Sequence, residues 1–328
     1  MSQCLNPDCL HSNIQDSELC ARCGTQLLLM NRYRAISLLG QGGFGRTFLA
    51  IDEFKPSKPR CVIKQFLPEV KGKKAIAKAT ELFEREAARL DELGQHEQIP
   101  GLLAFFDQEE RKYLIQEYID GHDLLKVLAT EGSFNQQQIK ELLNDLLDVL
   151  KFVHQNNVIH RDIKPENIIR RKQDGKLVLV DFGAAKSAFS NSTSQSATII
   201  GSASYIAPEQ AAGKPKFASD LYSLGATCLH LLTSIEPLNL FNTDEGEWNW
   251  RSHLQDNEID YELSHVLDKL VEGATNRRFQ SVAEVERALA GEVRPIVRTP
   301  PARSRHNYSS RKNTRNRARN TGKQASGK

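Results

Sequence analysis

Four short stretches of the 328-residue chain carry side chains that can handle phosphate, a hard metal ion and a hydroxyl proton. Gly40-Gln41-Gly42-Gly43-Phe44-Gly45 packs four glycines into six residues. Without Cβ atoms, the backbone N–H groups of such a run can close over phosphate oxygens. Lys64 ends the apolar run Cys61-Val62-Ile63 and offers a point charge. His160-Arg161-Asp162-Ile163-Lys164-Pro165-Glu166-Asn167 and Asp181-Phe182-Gly183 add carboxylates, an amide and a second lysine on loops. Carboxylate and amide oxygens are donors that Mg²⁺ prefers, and a loop carboxylate beside a hydroxyl can take its proton. Taken singly, each stretch also has a plainer reading: a tight turn, a strand-end lysine, solvated loop charges.

The apolar pattern shows which elements must position these residues. Residues 34–39, 46–52 and 61–66 are short, apolar or alternating runs, which predicts strands. The glycine run therefore joins two strands, whereas a dinucleotide-binding turn would join a strand to a helix. Leu82, Phe83, Ala87, Leu90 and Leu93 recur near a 3.6-residue period and predict a helix over 80–93. Residues 101–106 and 113–118 complete a strand-rich lobe. Beyond Gly121 the pattern turns helical, with Ile139, Leu142, Leu143, Leu146, Leu147, Leu150 and Val153 on one stripe. Residues 177–180 suit a buried strand ending at Asp181, and helices are predicted around 221–232 and 282–289. Turn signals such as Asp120-Gly121, Asp174-Gly175 and Gly213-Lys214-Pro215 separate these elements.

Ala207-Pro208-Glu209 and Asp220-Leu221-Tyr222-Ser223-Leu224-Gly225 follow in the same order. Together the segments resemble a eukaryotic-type serine/threonine protein kinase, of the kind bacteria carry, over residues 33–291. Lys164, two residues after Asp162, resembles the serine/threonine branch. The resemblance implies an α+β, bilobal protein kinase fold, with a small β-rich N-lobe over 33–118 and a larger α-helical C-lobe over 119–291. It implies transfer of the ATP γ-phosphoryl group to Ser/Thr hydroxyls of proteins in signalling, with Mg²⁺ or Mn²⁺. Self-association for trans-autophosphorylation is part of that expectation.

Phosphoryl transfer is mostly positioning and charge neutralisation, and the resemblance distributes that work. Gly40, Gln41, Gly42, Gly43, Phe44 and Gly45 would cap the phosphates. Lys64 would pair with them, held by a helix glutamate. Glu84 and Glu86 compete for that place; Glu86, at i+4 from Leu82 and i−4 from Leu90, shares the packed face. Asp162 would accept or orient the substrate hydroxyl proton, Lys164 would neutralise the transferring group, and Asn167 and Asp181 would hold Mg²⁺. Glu117, Tyr118 and Ile119 match a hinge that offers backbone hydrogen bonds to adenine, with Gln116 as gatekeeper. Ala50 and Val62 are expected in the adenine slot, and Leu90, His160 and Phe182 in a stack joining the lobes. Thr47 stands where a valine is usual, which implies modestly weaker nucleotide binding. Hydroxyls crowd the segment between Gly183 and Ala207. Thr193, Ser194, Ser196 and Thr198 are the expected phosphorylation sites, with Arg161 as the phosphate's partner; Ser202 resembles a threonine that contacts the catalytic loop. A flexible polar loop is the alternative. Glu209 is expected to pair with Arg278, and Asp220 to brace the catalytic-loop backbone.

Cys4, Cys9, Cys20 and Cys23 offer two close pairs of thiolates, as a closed structural zinc site requires. Cys-x2-Cys-Gly resembles a zinc-ribbon knuckle; the first spacing is longer, and His11 offers a substitute for one sulfur. A redox dithiol is the competing reading. This predicts a zinc-ribbon-like module over 1–28. Cys61 and Cys228 read as small apolar core residues.

The formal charge of +3 averages two different objects. Eleven of the 44 Lys+Arg and none of the 41 Asp+Glu lie in 293–328, so that tail carries +11 and residues 1–292 carry −8. With almost no large apolar side chain, the tail is expected to be disordered. It is free to contact an acidic protein, a lipid surface or nucleic acid, the last through phosphates. The chain has no transmembrane run and no signal-like start, which predicts a cytoplasmic protein. A catalytically weak scaffold recruiting partners through the cysteine module and tail is the alternative to an active kinase, and a nucleic-acid-associated protein is a third.

Overall fold

The structure, a computed structural model, describes residues 1–42, 45–182, 204–254 and 257–292. Gly43, Phe44, Gly183, Thr193, Ser194, Ser196, Thr198, Ser202 and the basic tail 293–328 lie outside the described residues.

Strands come first. β1 (Ser2–Gln3) and β2 (Ser12–Asn13) form a small antiparallel pair among the cysteines. A larger antiparallel sheet has the order β3-β4-β5-β6-β8-β7. Its strands are β3 (Leu28–Leu29), β4 (Tyr33–Gly42), β5 (Gly45–Asp52), β6 (Arg60–Phe66), β7 (Leu102–Gln108) and β8 (Arg111–Glu117). Alternation gives the sheet two working faces. On the rear face Ala35, Phe48, Ala50, Cys61, Ile63, Tyr113 and Ile115 form a core that also takes in Leu29 of β3 and Leu5 from the cysteine segment. On the other face α1 (Lys73–Leu93) packs through Ala79, Phe83, Ala87 and Leu90, with the Phe83 ring 5.1 Å from that of Phe66. The helix begins at Lys73, ahead of the predicted 80, because its first turns are exposed and show no apolar stripe.

The second lobe is helical. β9 (Gly121–Asp123) leads into α2 (Leu124–Glu131), capped by the Asp123 side chain. α3 (Gln136–Gln155) starts at a capping box in which Asn135 and Gln138 satisfy each other's backbone N–H groups. β10 (Ile168–Arg171) and β11 (Leu177–Leu179) join β9 in a three-stranded sheet of order β11-β10-β9 that carries the loops of the site. α4 (Pro208–Ala211), α5 (Phe217–Thr233), α6 (Pro237–Leu240), α7 (Tyr261–Leu270) and α8 (Val282–Leu289) complete the lobe. α5 is buried from Ala218 to Thr233, as a helix in the centre of a lobe must be. Gly225 lets it approach α7: a Cβ there would stand 2.7 Å from Leu270 Cβ. Among the described residues no helix is long and apolar enough to cross a membrane.

One buried ion pair ties the segment before α8 to the site's supports. Arg278, its side chain fully buried, donates to Glu209 at 2.7 Å and to the Ala218 carbonyl at 2.8 Å, and stacks over the Tyr222 ring. Burial works against the Glu209 charge, but hydrogen bonds from Arg278 and Ser219 outweigh it and hold the carboxyl below its ordinary range. Removing one partner of such a pair strands the other charge. Arg278→Met is therefore expected to lower unfolding stability by about 3–5 kcal/mol in urea titrations at neutral pH. The deficit should narrow as the pH falls through the range where Glu209 protonates. A loss below about 1 kcal/mol would contradict this reading of the pair.

Candidate active site

Lys64 sits near the C-terminal end of β6, opposite Thr47 on β5 and Leu114 on β8. Its ammonium donates to Glu86 Oε1 on α1 at 2.6 Å and also to Asp181 Oδ1 from the other lobe. Burial disfavours the charge, but the carboxylates of Asp181 and Glu86 more than offset that, so the ammonium is held above its ordinary range. Of the two competing glutamates, Glu86 is the one that reaches Lys64. Glu84 is 48% exposed and pairs with Lys112 at 3.1 Å.

The loop after α3 is held from below by one carboxylate. Asp220, fully buried in the first turn of α5, accepts from the backbone N–H of His160 and of Arg161, each at 2.9 Å, and contacts His154 Nε2 at 2.9 Å. Arg161 adopts φ +71°, a conformation that few non-glycine residues take without such support. His160 Nδ1 accepts from the Asp162 N–H at 3.3 Å, while Nε2 faces the Val180 carbonyl at 3.2 Å, which only the neutral Nε2–H tautomer satisfies. Burial lowers its pKa in the same direction. The ring packs 4.7 Å from Phe182, and Leu90 and Phe182 are both buried in the main core.

The loop then presents its polar groups together. Asn167 Nδ2 donates to both the carbonyl and Oδ2 of Asp162 at 2.7 Å, which fixes the amide and leaves its carbonyl oxygen as the donor atom for a ligand. Lys164 Nζ lies 3.8 Å from Asp162 Oδ1 and 4.0 Å from Glu166 Oε1. The Val180 N–H donates to the Asn167 carbonyl at 2.9 Å, bringing Asp181 beside this group. Asp181 takes φ +60°, which aspartate tolerates better than most residues.

A cleft of about 160 Å³ opens between the lobes, lined by Leu39, Thr47, Val62, Lys64, Gln116, Glu117, Tyr118, Ile119, Ile169, Val180 and Asp181. Ala50, expected in this slot, is elsewhere. It stands three residues from Thr47, hence on the opposite face of β5, and is buried in the rear core against Phe48 and Cys61. Leu39, Ile169 and Val180 line the cleft without having been singled out in the sequence. Leu39 immediately precedes the glycines, and Val180 ends the apolar run before Asp181, so both carried a local signal. Gln116 Oε1 is buried in the cleft wall without a hydrogen-bond partner among the described residues. Gly45 opens β5 at φ +148°, where a Cβ would stand 1.8 Å from the Gln65 carbonyl oxygen; only glycine fits. Gly40 and Gly42 face open space.

Two arginines on α1 were also missed. Arg85 and Arg89 flank Glu86, one turn of helix apart, and their charges act on Arg161 and on each other. Arg89 Nη1 and Arg161 Nε are buried with no partner among the described residues.

At the N-terminus the four cysteine sulfurs lie within 4.8 Å of one another. Cys4–Cys23 is 3.6 Å and Cys9–Cys20 is 3.8 Å, against the edge of about 3.8 Å in a tetrahedron with metal–sulfur bonds of about 2.3 Å. The Asn6 N–H donates to Cys4 Sγ at 3.5 Å and Asn13 Nδ2 to Cys20 Sγ at 3.6 Å. His11 contributes its backbone carbonyl, which accepts from the Cys4 N–H at 2.9 Å, and Cys9 completes the sulfur set. Hydrogen bonds with Thr25 lower the exposed Cys23 thiol to about 6. Cys61 and Cys228 are buried in the two main cores.

The protein kinase domain family matches residues 33–287. The chain is 40% identical to serine/threonine-protein kinase B of Synechocystis sp. over 316 residues, 92% of this chain and 54% of that protein. It is 43% identical to serine/threonine-protein kinase C of the same organism, over 83% of this chain and 52% of that one. Serine/threonine-protein kinase PknA of Nostoc sp. is 42% identical, over 80% and 47%. The chain thus spans about half the length of these curated relatives. Among solved structures, the apo form of PpkA-294 superposes with a TM-score of 0.65 at 21% identity, covering 80% of this chain and 98% of that one. The kinase domain of Mycobacterium tuberculosis PknI gives 0.60 at 22%, covering 80% and 96%. A lysine bridging two carboxylates from different lobes, a buttressed catalytic loop and the family match over most of the sequence lead to one assignment: the chain belongs to the protein kinase family.

Proposed function

We propose that the chain is an active serine/threonine protein kinase that transfers the γ-phosphoryl group of ATP to Ser/Thr hydroxyls of proteins, itself among them. The observation that carries this is Lys64 held charged between Glu86 and Asp181, beside an Asp162–Asn167 pair that is already hydrogen-bonded. The cleft suits a purine nucleotide: Leu39, Val62, Ile119, Ile169 and Val180 give it apolar walls at one end, the 117–119 segment runs along it, and Gln116 Oε1 is a buried acceptor in want of a donor. The donor set also suits Mg²⁺, with the Asp181 carboxylate and the Asn167 carbonyl oxygen as hard ligands. The metal would supply charge neutralisation at the phosphates. Asp162 would take the proton of the incoming hydroxyl, Lys164 would offset charge on the transferring group, and Lys64 would orient the phosphates under the hairpin. A catalytically weak scaffold of this fold usually lacks at least one of these residues; here all are present.

Arg85, Arg89 and Arg161 support a regulatory reading of the serine- and threonine-rich segment. A phosphate on Thr193, Ser194, Ser196 or Thr198 would give Arg89 Nη1 and Arg161 Nε the acceptor they lack among the described residues, with the charge of Arg85 nearby, and would order the segment against α1. Cys4, Cys9, Cys20 and Cys23 suit structural zinc by donor type and spacing.

Purified protein incubated with γ-labelled ATP and Mg²⁺ is expected to incorporate label within 183–203, and Asp162→Asn and Lys64→Met to lose at least about 100-fold of that rate. Equal labelling in all three proteins would end the kinase reading, and label confined elsewhere in the chain would end the regulatory one. Elemental analysis of the full chain is expected to find about one zinc per molecule, lost in Cys20→Ser. No stoichiometric metal would refute the zinc assignment.

A further inference from the structure

The cysteine segment and the glycine hairpin meet on the rear of the small lobe. Arg46, the residue after Gly45, and Gln65, the residue after Lys64, stand opposite each other in the β5–β6 register. Because side chains alternate along a strand, both turn away from the cleft that Thr47 and Lys64 line. There they reach the backbone between Cys4 and Cys9. Gln65 Nε2 donates to the Leu5 carbonyl at 2.8 Å, and Arg46 Nη1 donates to the Pro7 carbonyl at 2.8 Å. Arg46 Nε also donates to Gln41 Oε1 at 3.0 Å, so one guanidinium ties the cysteine loop to both strands of the hairpin. The Leu5–Asn6 peptide is held from two sides, its carbonyl by Gln65 and its N–H by the Cys4 sulfur.

A hairpin of glycines has little stiffness of its own. Gly40 and Gly42 pair with Thr47 and Gly45 in the β4–β5 ladder and have open space where a side chain would stand, whereas Gly45 abuts the Gln65 carbonyl. The place of Leu39 and Thr47 on the cleft wall is therefore set at the base of the hairpin, by the strand pair that Arg46 and Gln65 anchor. We propose that the Cys4–Cys9 loop is the rear support of the nucleotide clamp, with Arg46 and Gln65 as positioning residues that favour the nucleotide-binding arrangement without touching the nucleotide. This rests on the kinase reading of the cleft. Without the anchor, bound nucleotide must itself order the hairpin, and its apparent affinity falls by the fraction of clamps left out of place. Asp162, Lys164 and Asn167 belong to the other lobe, so turnover at saturating ATP is spared.

The test measures ATP KM, kcat, calorimetric Kd for Mg²⁺-ATP and backbone amide exchange in the full chain and in Arg46→Ala and Arg46→Lys. Arg46→Ala is expected to raise KM and Kd about five- to tenfold, with kcat within about twofold, and to speed amide exchange across 38–48 in the nucleotide-free protein. Arg46→Lys keeps a donor for the Pro7 carbonyl and should recover most of the affinity. Unchanged KM and Kd in Arg46→Ala, a loss confined to kcat, or a lysine variant no better than alanine would each overturn the proposal. Wild-type protein that binds no ATP would overturn the kinase reading and this one with it. Wild type and Arg46→Ala binding ATP equally well would overturn this one alone.

Discussion

An ammonium group withdrawn from water must be matched by anions that cannot drift away, and Lys64 is matched by two, from opposite sides of the cleft. Glu86 comes from α1 and Asp181 from the loop after β11. Because the carboxylates belong to separate lobes, the lysine keeps both partners only while α1, the sheet and the second lobe hold their relative places. Unpaired, burial would push the lysine toward its neutral form, which has nothing to offer a phosphate. The packing of His160 on Phe182 and the core running from the sheet and α1 into α3 and α5 hold those places.

The second lobe meets its share of the constraint through buried polar groups satisfied one by one. Asp220 fixes two backbone N–H groups of the loop after α3, Asn167 fixes Asp162, and Arg278 with Glu209 anchors α4 to the lobe that carries them. Arg161 and Asp181 both sit at positive φ, so the two loops that face each other across the site are locally unfavourable and depend on these bonds. Neutral His160 is part of the same arrangement: a charged ring would set a second N–H against that of Asp162.

Much of this was legible from side-chain spacing. The helical stripe of Leu82 and Leu90 pointed to Glu86 over Glu84, and the α8 boundaries follow directly from the pattern at 282–289. Ala50 shows the same rule neglected: its odd separation from Thr47 already put it on the other face of β5. α7 was readable too, since Leu263, Val266, Leu267 and Leu270 repeat at helical spacing. Other features leave no local trace. The acceptors for Arg46 and Gln65 are backbone carbonyls of Leu5 and Pro7, which any residue would supply, so the docking of the cysteine segment on the small lobe could not be read from residue types. Nor does composition distinguish Arg89, whose Nη1 is buried without a partner among the described residues, from the exposed Arg85 one turn earlier.

The account turns on Glu86 holding Lys64, and phosphotransfer kinetics of Glu86→Gln beside Glu84→Gln test it most directly. Misplacing a positioning group by about 1 Å costs on the order of 100-fold in rate. Glu86→Gln should therefore lose about that much of kcat/KM, while Glu84→Gln, which loses only its surface contact with Lys112, should stay within about twofold. Equal losses in the two variants, or a larger loss in Glu84→Gln, would contradict it.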